Sequence, residues 1–248
     1  FYIAAAVFMI ASVVLVILSG NGVGEYSLLV GAHSRGMIWG FAWLTVIGTV
    51  VTLLPTLSAT AISPIARARC TRALIVHCVG LSLAMVLYAV GLTRAAGVAQ
   101  LLVVLAAVLI IQPVLATVMG RSPRLTTATV AVIAGLLWVL ALCAGDAISA
   151  AVGAYPRTIT LVLLPAFLGA GLLQLVTGVL HHLLPILTGA RPNTTERTGY
   201  ARLLLINLGG VLTLLGATVA GLIMMGIGLA ANVIAVGRAI YLQKRLES

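Results

Sequence analysis

Side chains able to hold a metal or move a proton are scarce in this chain, and the four histidines come first among them. His33, His77, His181 and His182 stand in or beside long apolar runs. A polar ring in such surroundings is costly unless it is paired or used, so each is a candidate ligand for a haem or a metal. A haem held by two imidazoles needs both at one depth on facing helices. The run boundaries put His77 near one membrane face together with His181 or His182. They put His33 near the other face, where its soft partners would be Met37, Met224 and Met225. His181 and His182 are neighbours, about 100° apart on a helix, so one metal takes both only at a kink, which Pro185 could supply. The plain alternative for each is a solvated or packed imidazole.

Two polar stripes run along the helices that carry these residues. Thr45, Thr49, Thr52 and Thr56 recur by threes and fours, and Gly36 and Gly40 form a small-xxx-small pair on the same helix. That pattern predicts a packed helix inside a bundle. Further on, Gln174, Thr177, Gly178, His181 and Pro185 share one face. Such a stripe either lines a solute or proton path or ties helices together at about 1 kcal/mol per contact. Asn207, Asn232 and Gln112 read as ties of the second kind. The acidic residues are only Glu25, Asp146, Glu196 and Glu247, and each falls in an expected loop or the tail. No carboxylate is therefore expected inside the membrane for a proton pump to use. Cys70, Cys78 and Cys143 have no metal-site spacing and read as inert buried thiols.

The elements that must position these groups follow from composition. Of 248 residues 62% are hydrophobic and 7% charged, against about a quarter charged in soluble domains, so this is an integral membrane protein. Apolar runs long enough to cross about 30 Å of hydrocarbon as helices cover residues 2–18, 35–57, 73–92, 97–119, 125–144 and 158–187. Residues 203–242 form either one over-long helix or two with a break between Gly216 and Gly226. The fold class is all-α, a polytopic transmembrane bundle of about eight spans, or seven if 203–242 is one helix. With eight, 11 of the 14 cations fall on one side and only Arg35, Arg94 and Arg157 on the other, which puts both termini in the cytoplasm of a cell-membrane protein. The net charge of +10 is a topology signal rather than a nucleic-acid footprint, and no nucleic-acid partner is expected. No internal repeat is evident, and residues 1–248 read as one membrane domain. From the start at Phe1, inside an apolar run, a fragment of a longer chain is expected.

Two segments carry a family resemblance: GAHSRGMIWGFAWLTVIGTVVTLLPT and LLPAFLGAGLLQLVTGVLHHLLPILTGARP, with the following RLLLINLGG. They resemble the membrane region of actinobacterial copper-oxidase-like proteins, in which a helical domain is joined to cupredoxin domains of the multicopper oxidase or copper nitrite reductase type. A fainter similarity runs to subunit I of haem-copper oxidases and to related haem and copper membrane proteins. The matching pieces cover roughly a quarter of the chain. Arg35 stands where that pattern has another histidine, and no cupredoxin sequence is present. The resemblance implies an anchor, with an electron-entry role through quinol or haem b, and copper held in an extracytoplasmic cupredoxin partner. A small-solute transporter or permease, and a structural subunit or assembly factor of a membrane complex, are the competing expectations, with a homo-oligomer among the expected partners.

Overall fold

A computed structural model describes residues 1–121, 123, 125–188 and 197–247. Among them every regular element is helical. In chain order these are α1 (Tyr2–Gly20), α2 (Tyr26–Arg35, Gly36–Trp43 and Leu44–Leu57), α3 (Pro64–Ala89), α4 (Thr93–Met119) and α5 (Thr127–Ala151). They continue with α6 (Pro156–Ala166, Phe167–Leu173 and Gln174–Leu187), α7 (Arg197–Leu214) and α8 (Thr218–Glu247). Seven are long and apolar enough to span a bilayer, and α7 is a shorter apolar helix. The all-α bundle is as expected. The apolar stretch 203–242 breaks at Gly216, at the start of the expected window, because Gly216 adopts φ +89 and turns the chain.

Several helices are longer than the hydropathy pattern suggests. α2 starts at Tyr26 instead of near residue 35, with the Glu25 carboxylate accepting from the Ser27 N–H at 3.3 Å as an N-cap. α3 starts at Pro64 instead of residue 73. Ser63 caps it through Ala66 N, and Pro64 suits the first turn because its missing N–H would have no partner there. α5 runs to Ala151 instead of 144, so Asp146 lies within a helix and not in a loop. A backbone inside lipid must satisfy its own hydrogen bonds, so helices continue past the last apolar residue until a turn residue stops them.

The two halves of the chain repeat one plan, although the sequence shows no evident repeat. The second helix of each half is an α–π–α rod. Its parts are 10, 8 and 14 residues long in α2, and 11, 7 and 14 in α6. Leu53-Leu54-Pro55 and Leu183-Leu184-Pro185 sit near the ends of these rods. The first and third helices of each half end on a left-handed glycine: Gly22, Gly91, Gly153 and Gly216, with φ of 75, 84, 97 and 89. At each, the next N–H reaches back to an end carbonyl, as Leu92 does to Leu87 and Ala217 to Leu212, both at 2.9 Å. A Cβ would be strained at these φ values, which is why glycine stands there.

The helices form two compact units. The first comprises Phe1–Pro55, Ala61–Arg121 and Leu140–Leu161, the second Thr56–Thr60, Ser122–Val139 and Val162–Ser248. In the first, α1 and α3 both pack on α2. Gly36 lets Ser12 and Met85 close in, and a Cβ on Gly40 would stand 2.6 Å from Phe8 Cβ, so this small pair serves close packing as expected. The threonine stripe does not. The buried face of α2 is Trp43, Leu44, Ile47, Val50 and Leu54, whereas Thr52 and Thr56 are exposed and Thr45 and Thr49 half-exposed. Thr45 and Thr49 hydroxyls donate back to the carbonyls of Phe41 and Thr45 at 2.7 and 2.8 Å, and Thr49 Oγ1 also meets the Tyr2 hydroxyl of α1 at 3.0 Å.

Candidate functional site

The first unit contains a charged network, of which the sequence pattern set Asp146 in a loop and Arg35 at the very start of the second span. Arg35 closes the α-helical start of α2 and is 1% exposed, and Asp146 of α5 is 4% exposed. Arg35 is nine residues in from Tyr26 (35 less 26), about 14 Å at 1.5 Å per residue. Its Nη2 lies 2.5 Å from Asp146 Oδ1. The other carboxylate oxygen accepts from Trp39 Nε1 at 2.6 Å and from Gln100 Nε2 at 2.8 Å. All three partners only donate here, so the site suits an ionised carboxylate.

The guanidinium is held on its other sides as well. Nη1 donates to the carbonyls of Gly31 and Pro156 at 3.2 and 3.3 Å and to Thr160 Oγ1 at 3.2 Å. The Arg35 guanidinium carbon lies 4.4 Å from the centre of the Tyr88 ring, whose hydroxyl points to Gln100 Oε1 at 3.5 Å. Five helices, α2 to α6, thus converge on one ion pair. An isolated charge in this interior would cost far more than any single contact returns, and the pair is sustained because both carboxylate oxygens and both Nη groups are hydrogen-bonded. Besides Ser19 Oγ and Gln174 Oε1, three side-chain atoms among the described residues remain buried without a partner: Arg35 Nε, Trp43 Nε1 and His77 Nδ1. All three lie at or beside the π segment of α2, where the widened turn offsets the helix faces.

The histidines are placed differently from their expected depths. His77, expected near a membrane face, lies mid-way along α3 because that helix starts at Pro64. It is buried, donates from Nε2 to the Trp39 carbonyl at 3.0 Å, and meets the Phe8 ring edge-on with centroids 6.5 Å apart. His33 is half-buried and donates from Nδ1 to the Ser12 carbonyl at 2.8 Å. Phe8 and Ser12 are one turn apart on α1, so the two histidines sit at successive levels beside it. Each has one nitrogen tied to a carbonyl, the arrangement that orients metal-binding imidazoles. They nonetheless supply one imidazole per level, which does not fit a bis-histidine haem.

Met37 is half-buried on α2 in the same unit as His33. Met224 and Met225 belong to the second unit, where Met225 is packed with Ala170 and Ile206. His181 and His182 are half-buried in the second unit, and His77 is in the first. His181 borders a crevice of about 10 Å³ with Thr127, Thr177 and Asn232, room for at most one water. Among the described residues no three of His, Cys, Asp and Glu converge.

The rest of the second unit is tied by amides. Trp138 Nε1 donates to Asn207 Oδ1 at 2.6 Å, and Arg202 Nε to Asn232 Oδ1 at 2.7 Å. Asn207 and Asn232 therefore bridge helices as expected, whereas Gln112 is exposed on α4. Arg202 is no loop cation but a buried residue of α7. Gln174 is fully buried against α5, its Nε2 3.4 Å from the Ala131 carbonyl.

Comparison with protein-family models, with curated proteins and with solved structures finds no match for this chain. Its function must be argued from the site. Arg35 and Asp146 could have been recognised had the spans been drawn out to Gly22 and Gly153, because both then fall inside. No sequence pattern marked Trp39, Tyr88 or Gln100 as their partners.

Proposed function

We propose that this chain is the membrane anchor of a copper-dependent respiratory oxidoreductase of the nitrite reductase or multicopper oxidase type, holding an extracytoplasmic cupredoxin partner at the bilayer. The observation that supports it is the Arg35–Asp146 network. It lies toward the helix ends opposite the chain termini and joins five helices there, as a rigid docking end needs. The charge pattern supports it: with Arg35 and Arg202 both buried inside helices, 10 cations fall on one side and two on the other, a bias in keeping with an extracytoplasmic location for that end. The two stretches that carry the family resemblance are α2 and α6, the equivalent α–π–α rods of the repeat.

The transporter reading has less support. Thr45 and Thr49 turn their hydroxyls back onto their own helix, Thr49 being met as well by Tyr2 of α1, and the crevice beside the Gln174–His181 stripe is too small for a solute. The anchoring reading is tested on the protein recovered from its native membrane in mild detergent. Metal analysis and electron paramagnetic resonance should find a type 1 copper signal in the complex, and copper-free complexes would refute it. A reduced-minus-oxidised spectrum tests haem b separately: a Soret band from the isolated chain would show a haem that the paired histidines do not provide for.

A further inference from the structure

A groove of about 620 Å³ runs between α1 and α3, bordered by Val7, Phe8 and Ala11 on one side and Cys78, Ser82 and Met85 on the other. It opens sideways at Val7 and Val86, which are exposed. Such a groove alone could hold any hydrocarbon chain. The internal repeat says more, because the second half contains the same place and fills it. Val7 and Trp138 each lie 15 residues before the left-handed glycine that ends their helix (22 less 7, 153 less 138). Ser82 and Asn207 each lie nine residues before theirs (91 less 82, 216 less 207), and Met85 and Gly210 each lie six before. In the second unit the Trp138 indole occupies the space between α5 and α7, its six-membered ring 3.0 Å from where a Cβ on Gly210 would be, and its N–H on Asn207. In the first unit the small Val7 leaves the α1 side of that space open, Met85 brings the Cβ that Gly210 lacks so that a ring there sits slightly further out, and Ser82 stands where Asn207 accepts the indole proton.

We propose that the α1–α3 groove binds a planar, fused-ring, lipid-soluble molecule carrying a hydroxyl, which lies as the Trp138 indole does and donates to Ser82 Oγ. Ser82 makes no side-chain hydrogen bond to the described residues, so its hydroxyl is available. Behind Phe8, a wall of the groove, stands His77 with its Nδ1 unpartnered, a second acceptor within one side-chain layer. Phe8 presents an aromatic wall for the ring to pack against. The site stands apart from the anchoring reading, since binding is read on the isolated chain without any copper partner.

The test uses the full chain in nanodiscs with 2-naphthol as the probe, and naphthalene and hexadecanol as comparators. Saturable 2-naphthol binding is expected, with naphthalene about fivefold weaker for want of one hydrogen bond. Ser82→Ala should bring 2-naphthol to the naphthalene level. Val7→Trp, which supplies from within the ring that the second unit has, should abolish saturable binding, while Leu204→Trp on the exposed face of α7 should leave it unchanged. Complete displacement of 2-naphthol by hexadecanol would overturn the proposal in favour of a plain acyl-chain slot. Undiminished binding by both the Val7 and Ser82 variants would overturn it equally.

Discussion

Removing the Asp146 carboxylate is the sharpest way to test whether the ion pair holds the first unit together. In Asp146→Ala the Arg35 guanidinium keeps Gly31, Pro156, Thr160 and the Tyr88 face but loses its counter-charge, and the Trp39 and Gln100 donors lose their acceptor. Leaving one member of a buried pair uncompensated costs about 3–5 kcal/mol. The two stranded donors add to the same loss and not independently of it, because all three bonds share one carboxylate. For a chain of this size 1 kcal/mol moves the melting temperature by roughly 2–4 °C, so the expected fall is about 6–20 °C. The assay is thermal unfolding in detergent, read as loss of the monodisperse peak after heating. A double variant, Arg35→Met with Asp146→Leu, removes both charges, and should recover at least half of the loss, since apolar replacements of buried pairs are often neutral or better. A fall of under about 2 °C for Asp146→Ala, or a double variant as unstable as the single one, would refute the reasoning.

Other consequences can be checked the same way. Gly40→Leu forces a side chain into Phe8 and Leu81 and should abolish recovery of monodisperse protein, whereas the same change at the open Gly226 should be tolerated. Gly216→Ala places a Cβ at φ +89 and should cost about 1–2 kcal/mol, seen as a melting shift of roughly 2–8 °C. Trp138→Phe removes the 2.6 Å bond to Asn207 and should cost about 1–3 kcal/mol, and adding Asn207→Leu should reverse part of it. His77→Leu deletes the bond to the Trp39 carbonyl and should lower the melting temperature by a few degrees, in a protein whose α-helical circular dichroism is unchanged.

What the sequence determined by itself is the solvent and the class of fold. An apolar chain with so few charges can satisfy its backbone in lipid only as helices, so a bundle of seven or eight spans, the window for the turn within 203–242 and the close approach at Gly36 and Gly40 were legible. Tertiary structure alone decided the rest. Hydropathy sets Asp146 in a loop and Arg35 at the edge of a span because it averages cost over a window and cannot see that two opposite charges 111 positions apart cancel one another's cost. The threonine stripe looked like an inner face because spacing reports that residues share a side without saying which side. The hydroxyls of Thr45, Thr49 and Thr52 each bond a carbonyl of their own helix, with Tyr2 of α1 as a further partner for Thr49, so the stripe could face outward. The repeat stayed hidden because it is kept by glycine conformation and by the π segments of α2 and α6, while nearly every side chain between them has diverged. Val7 and Trp138 show the effect: equivalent places, one open and one filled, in a chain whose letters there have nothing in common.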